Sequence, residues 1–286
     1  MISLKEIATG NKPTWCPGCG DYGILNAVKI AIAKAGLNLE KTVLVSGIGC
    51  SSKLPQYVNT YAFEGIHGRV LPVATGIKLA NNSLTVIGIA GDGDAYGIGT
   101  CHFIHGMRRN LDLTNIVHDN QIYGLTTGQT SPTSEKGFAT KSTPGGVIEW
   151  PVNPIALALA SGATFIARGF VLELEHLTNL IVKGIRHKGF ALIDIFQPCV
   201  TFNYLNTYQY YKQRCYKLED APGYNPQDKT AAHHKSQEWG ERIPIGVFYQ
   251  EQKGTYEDEL PEIKEKPLAE QSITDVNIDR LLDECY

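Results

Sequence analysis

The chain has 286 residues, 43% of them hydrophobic and 19% charged, with a formal net charge of -3; this describes a globular protein with a sizeable core, one large α/β domain with an extension or two modest domains. So balanced a charge gives no electrostatic footprint for nucleic acid or an anionic membrane, and neither is expected as a partner. No apolar run reaches the roughly 18 residues of a transmembrane helix, Met1-Ile-Ser-Leu-Lys5 lacks the shape of a signal peptide, and seven unevenly spaced cysteines argue against a disulfide framework, so a reducing cytoplasm is the expected setting.

In chain order the first feature is Trp15-Cys-Pro-Gly-Cys-Gly20. A Cys-x-x-Cys turn can bring two sulfurs to one metal or cluster, and Pro17 and Gly18 suit the turn because one fixes φ and the other tolerates positive φ. Alone it leaves zinc, an iron–sulfur cluster and a redox dithiol open. Apolar residues at Ile24, Leu25, Val28, Ile32 and Ala35 predict a helix over 21–35 with Asp21 as its N-cap. Thr42-Val-Leu-Val-Ser46 reads as a buried strand, 73–81 as a helix, and Leu84–Ala90 as a second buried strand ending at Gly91-Asp-Gly93. A helix over 97–109, a strand over 115–119, a helix over 154–162 and a strand over 163–167 follow. A long helix over 172–187 and a strand over 190–196 complete the pattern. Buried strands separated by helices predict an α/β fold with a doubly wound, mostly parallel sheet, whose ligands bind beyond the carboxyl ends of the strands.

After Phe202 the composition changes. Residues 204–216 are rich in Tyr and Gln, Pro222, Gly223 and Pro226 interrupt the next stretch, and the last thirty or so residues are acidic, with a possible strand at 243–249. Residues 1–202 are therefore expected to form the α/β domain, and 203–286 an arm or tail that contacts a partner, tyrosine being favoured at interfaces.

Two constellations carry chemistry. Asn120 falls 28 residues after Asp92, the length of one helix plus one strand, so both side chains emerge at one edge of neighbouring strands. A hard divalent cation takes oxygen ligands, and Asp92, Asn120 and a turn carbonyl supply three, leaving positions for diphosphate oxygens. Gly93 would let the backbone approach the phosphates, and the start of the Gly97 helix would offer them free N–H groups. The second constellation is Cys16, Cys19, Cys50 and Cys199. Cys50 and Cys199 follow strands 42–46 and 190–196, whose carboxyl ends share a face with the first site. Four thiolates there suit a [4Fe–4S] cluster or a structural zinc, or stand as a metal-free set of buried cysteines. Cys101, Cys215 and Cys285 lack such a context and read as ordinary thiols.

The Gly-Asp-Gly…Asn pair resembles the thiamine diphosphate motif. The wider set is similar to the beta subunit of 2-oxoacid:ferredoxin oxidoreductases: the cysteine turn, Ser46-Gly-Ile-Gly-Cys-Ser51, His67-Gly-Arg69, Pro72-Val-Ala-Thr-Gly76, Gly91-Asp-Gly-Asp94 and Gly124-Leu-Thr-Thr-Gly-Gln129. The resemblance covers roughly residues 10–250 and implies the diphosphate-binding half of a thiamine enzyme. It implies Mg²⁺ held by Asp92, Asn120 and the carbonyl of Ile122, and a cofactor lined by Ile48, Gly49, Cys50, Ser51, His67, Gly68, Gly93, Asp94, Gly124 and Leu125. It implies a [4Fe–4S] cluster on Cys16, Cys19, Cys50 and Cys199, and Lys53 facing the substrate, where a cation would hold a carboxylate. His67, before a helix, is expected to contact the cofactor.

The implied activity is CoA-dependent oxidative decarboxylation of a 2-oxoacid, of the 2-oxoglutarate or pyruvate class, to an acyl-CoA and CO₂, with electrons passed to ferredoxin. A cluster beside the thiamine is then a functional need, because it accepts one electron at a time. The runners-up are a non-oxidative 2-oxoacid decarboxylase subunit and a non-catalytic, zinc-stabilised α/β scaffold. No second α/β half with a glutamate for the aminopyrimidine ring is present. The expected partner is therefore an alpha subunit that bears the pyrimidine-binding domain, in a dimer of heterodimers. Thr127 stands where relatives frequently have lysine, and Phe63-Glu-Gly-Ile66 replaces a stretch that commonly holds another histidine; both bear on the choice of 2-oxoacid.

Overall fold

Short apolar, β-branched runs with no polar face suit only strands covered by helices on both sides. The computed structural model, which describes residues 2–274 and 278–285, builds them into β1 (Thr42–Ser46), β3 (Thr85–Gly91), β4 (Leu113–Asp119), β5 (Phe165–Phe170) and β6 (Phe190–Phe196), after placing β2 (Tyr61–Glu64) at one edge. With β7 (Cys215–Lys217) and β8 (Ile243–Gln250) they form one eight-stranded sheet in the order β2-β1-β3-β4-β6-β5-β8-β7. From β2 to β5 every neighbouring pair is parallel, and β8 runs antiparallel to β5. Every residue of β1, β4, β5 and β6 is buried, whereas all four of β2 are exposed.

The α-helices among the described residues are α1 (Leu4–Ile7), α2 (Asp21–Ala35), α3 (Val70–Ala80), α4 (Thr100–Arg109), α5 (Pro154–Ser161), α6 (Leu174–Arg186), α7 (Tyr208–Arg214), α8 (Lys229–Ser236), α9 (Pro261–Lys264) and α10 (Ile278–Asp283). The two-residue period of β1 shows how the layers close: Leu44 belongs to the core cluster that holds Ile24, Val28 and Leu177 of α2 and α6, while Val43 and Val45 belong to the opposite one, with Leu71, Phe103 and Ile155 of α3, α4 and α5. This is the doubly wound architecture expected. Among the described residues no helix is long and apolar enough to cross a membrane.

Three expectations are corrected. Asp21 is not an N-cap: Gly20 holds that position, and Asp21 is the first helical residue, wholly buried. The helix expected from Gly97 begins at Gly93 with a π-helical turn over Gly93–Ile98, kinked at Gly97, before α4 starts at Thr100; Thr100 Oγ1 lies within hydrogen-bond reach of the Tyr96 and Gly97 carbonyl oxygens, at 2.5 and 2.7 Å. The boundary expected at 202 is not a break in the fold, because β8 hydrogen-bonds along β5 within the same sheet. Residues 275–277 and 286 of the expected tail lie outside the described residues.

Candidate functional site

The carboxyl ends of β1, β3, β4 and β6 lie side by side, and the loops that leave β1, β3 and β4 line a cavity of about 370 Å³. Ile48, Gly49, Cys50, Ser51, His67, Gly93, Asp94, Gly124 and Leu125 line it, together with Asp92, Asn120 and Ile122. Gly68 stands just behind, its N–H donating to Asp94 Oδ1 at 2.6 Å. Lys53 is not among the lining residues; its ammonium donates to Thr14 Oγ1 at 3.3 Å.

Asp92 leaves β3 buried, and burial pushes its carboxyl up to about 6 against the pull of two hydroxyl donors. Those donors are Ser131 and Thr133, 2.5 and 2.6 Å from Asp92 Oδ2. Neither belongs to the expected site, although Ser131-Pro-Thr-Ser134, a hydroxyl-rich run just past Gln129, is the signal that could have marked them. Asn120 leaves β4 in an Asx turn: its Oδ1 accepts from Ile122 N–H at 3.1 Å while Gln121 adopts φ +57°. Its Nδ2 donates to Gln197 Oε1 at 3.0 Å.

Asp94 organises the rim. Its Oδ1 accepts from the N–H groups of Ile48 and Gly68 and stands 2.9 Å from His67 Nδ1, tying the β1 loop to the loop before α3. Gly93, which lines the cavity, also meets a packing constraint. A Cβ there would overlap the Tyr123 ring, so its bare α-carbon makes room for Tyr123, whose hydroxyl donates to Gly93 O at 3.2 Å.

The cysteines gather on the neighbouring side. Cys19 N–H donates to Cys16 O at 3.0 Å, with Gly18 at φ +83°, which is the turn expected of Cys-Pro-Gly-Cys. Trp15 Nε1 donates to the Cys50 carbonyl at 2.7 Å, pinning this turn to the β1 loop. A Cβ on Gly124 would stand 3.6 Å from Cys50 Sγ and 3.7 Å from Cys199 Sγ, so both sulfurs face one glycine at the cavity edge. Burial, with Asp21 and Cys199 adding, pushes the Cys50 thiol up to about 11; burial likewise raises Cys19 and Cys199. Among the described residues no three His, Cys, Asp or Glu side chains converge on a single-ion position. A tetrahedral zinc needs such convergence, whereas a cluster binds each sulfur to its own iron and holds the sulfurs further apart. Cys101 and Cys285 are exposed and Cys215 sits on β7, apart from this group.

One buried pair has no signal in the sequence. His118 Nδ1 lies 2.7 Å from Asp21 Oδ1 with both side chains fully buried, and His118 Nε2, which has no partner, belongs to a residue lining the cavity. Ser51 Oγ is buried and unpartnered in the same wall. Orphaned buried polar atoms cost free energy unless something satisfies them, so this wall suits a polar ligand. The glycine-lined loops, the Asp92–Asn120–Ile122 oxygen set and four cysteines match a diphosphate, a hard cation and a thiolate-bound cluster.

Comparison with known proteins accords with this geometry. Residues 47–195 match the family model described as thiamine pyrophosphate enzyme, C-terminal TPP binding domain. Residues 199–265 match the family model for the C-terminal part of pyruvate ferredoxin oxidoreductase beta subunits. The chain is 52% identical over 256 residues to 2-oxoacid:ferredoxin oxidoreductase 1, subunit beta, of Aeropyrum pernix, covering 86% of this chain and 80% of the relative. It is 52% identical over 260 residues to the 2-oxoacid:ferredoxin oxidoreductase subunit beta of Saccharolobus solfataricus, covering 87% and 85%. A solved structure of 2-oxoglutarate:ferredoxin oxidoreductase from Magnetococcus marinus, with 2-oxoglutarate, coenzyme A and succinyl-CoA bound, superposes with a TM-score of 0.91 at 35% identity, covering 100% of this chain and 96% of the other.

Proposed function

The chain belongs to the family of 2-oxoacid:ferredoxin oxidoreductase beta subunits, and from that premise we propose that it holds thiamine diphosphate, Mg²⁺ and a [4Fe–4S] cluster in a catalytic site completed by an alpha subunit. The reaction is oxidative decarboxylation of a 2-oxoacid of the 2-oxoglutarate or pyruvate class, with CoA as acyl acceptor and ferredoxin as electron acceptor. The observation that carries the reading is the adjacency of four strand ends: β3 and β4 bring Asp92 and Asn120 together, and β1 and β6, flanking them, bring Cys50 and Cys199 to one glycine. When bound, the cofactor supplies the electron sink for decarboxylation and the cluster a one-electron acceptor beside it.

The chain's own residues then have definite tasks. Ser131 and Thr133 orient the Asp92 carboxylate through Oδ2, and Asp92, Asn120 Oδ1 and the Ile122 carbonyl would hold Mg²⁺. Asp94 keeps the Ile48 and Gly68 amides in place, so the loops that contact the cofactor are braced before it arrives. Ile48, Ile122 and Leu125 supply apolar wall that excludes water. Cys16, Cys19, Cys50 and Cys199 would ligate the cluster. The alpha subunit would bring the pyrimidine-binding domain, the assembly would be a dimer of heterodimers, and the setting the cytoplasm.

The test is turnover of a panel of 2-oxoacids by the co-expressed complex, with CoA and a viologen dye. Dye reduction that needs CoA and both subunits is expected. CoA-dependent activity from this chain alone, or full activity in iron-free protein, would overturn the reading.

A further inference from the structure

Gln197 is 1% exposed, and its amide touches both proposed metal-binding loops. Its Oε1 accepts from Asn120 Nδ2 at 3.0 Å; its Nε2 lies 3.1 Å from the Pro198 carbonyl oxygen and 3.4 Å from Cys19 Sγ. Backbone groups decide which end of each amide is which. Ile122 N–H can only donate, so the Asn120 atom 3.1 Å from it is the oxygen, and Nδ2 faces Gln197. The Pro198 carbonyl can only accept, so the Gln197 atom beside it is the nitrogen. Nε2 carries two hydrogens, one for Pro198 and one for Cys19.

The space for this amide is built in. A Cβ on Gly20 would come within 2.9 Å of Gln197 Cγ and 3.3 Å of its Cα, so the glycine that follows the cysteine turn admits Gln197 beside it. Asp21 Oδ2 stands 3.4 Å from the same sulfur. Cys19 Sγ therefore lies between an amide donor and a carboxyl group.

We propose that Gln197 is a positioning residue that couples the cation site to the cluster. Ile122 N–H already sets the orientation of the Asn120 amide; a cation on its Oδ1 would draw electron density from that amide and make its Nδ2–H a stronger donor to Gln197 Oε1. Gln197, held in its orientation by the Pro198 carbonyl, passes this on as a stronger N–H bond to Cys19 Sγ. A hydrogen bond to a ligand sulfur favours the reduced, more negative cluster and raises its potential. Filling the cofactor site thus makes the cluster a better electron acceptor at the moment electrons become available. This rests on the occupancy of both sites proposed above.

The experiment is an EPR-monitored redox titration of the complex with its alpha subunit, as wild type, Gln197→Glu and Gln197→Leu, each with and without thiamine diphosphate and Mg²⁺. Glutamate keeps an acceptor for Asn120 and removes the donor to sulfur; leucine removes both. In the wild type, adding the cofactor and Mg²⁺ is expected to favour cluster reduction about tenfold, which is about 59 mV for a one-electron couple. In both variants the potential should fall and that cofactor-dependent shift should disappear. A wild-type potential indifferent to the cofactor overturns the coupling without any substitution, and so does an unchanged shift in variants that retain their iron. Iron content and Mg²⁺-dependent cofactor binding in the wild type are measured alongside. If either is absent, the site assignments fail and this inference with them; if both are present, the potentials judge Gln197 alone.

Discussion

Thr133 Oγ1 lies 2.9 Å from Asp119 Oδ1 while its single proton is directed to Asp92 Oδ2, 2.6 Å away. A hydroxyl has one hydrogen to give, so Thr133 can satisfy only one of these two carboxyl groups at a time. Burial, together with Asp194 and Asp92, pushes the Asp119 carboxyl well above its ordinary range.

The first prediction concerns pH. Burial holds Asp92 at about 6, above the value of about 3.9 for an exposed aspartate. The neutral acid's contribution to the stability of the metal-free chain is therefore complete below about 3.9 and lost as pH rises through about 6. Cation binding has the opposite sign, since it needs the carboxylate. Calorimetry between pH 5 and 8 should show Mg²⁺-dependent thiamine diphosphate affinity level above about 6 and falling about tenfold per unit below it. An affinity that is flat across that range would remove Asp92 from the cation site.

Asp92→Ala should weaken Mg²⁺-dependent cofactor binding by about tenfold or more, the scale of a lost charged partner. Thr133→Val should act in the same direction and by less, because Ser131 still holds Asp92 Oδ2. Visible absorption from the cluster should survive in both, as the cysteines sit on other loops. Wild-type affinity in Asp92→Ala contradicts the ligand set.

Cys199→Ser should lower iron from about four per chain and abolish dye reduction, with thiamine diphosphate binding largely kept. Iron assay of the anaerobically purified variant checks this. A full complement of iron in the variant would show that Cys199, despite facing Gly124 beside Cys50, is not a ligand.

Lys53→Ala should reduce kcat/KM for the 2-oxoacid by about 1.5–3 kcal/mol, the range for a hydrogen bond to a charged group. Lys53 rests on Thr14, so a substrate contact requires its flexible stem to swing from that position. Unchanged steady-state kinetics would leave Lys53 as a prop for the loop before the cysteine turn.

Much of this site is legible along the chain, for a physical reason. Asp92, Asn120, Cys50 and Cys199 each follow directly on a buried strand, and parallel strands place such positions on one rim whatever the distant sequence does. The remainder depends on pairings across the fold. His118 reads as one polar residue in a strand, and only the packing of α2 on the sheet brings Asp21 to it, 97 positions away. Gln197 reads as a loop residue until Asn120 and Cys19 meet on either side of it. At Gly93 the Tyr123 ring leaves no room for a side chain, a contact that only the folded chain brings about.

The sheet order also limits how short the polypeptide can be. β8 is what covers the flank of β5, a strand with no exposed residue. A chain ending at 202 would present that apolar strand as a bare edge, and bare apolar edges recruit other chains into aggregates. The smallest piece able to stay monomeric therefore runs at least to Gln250.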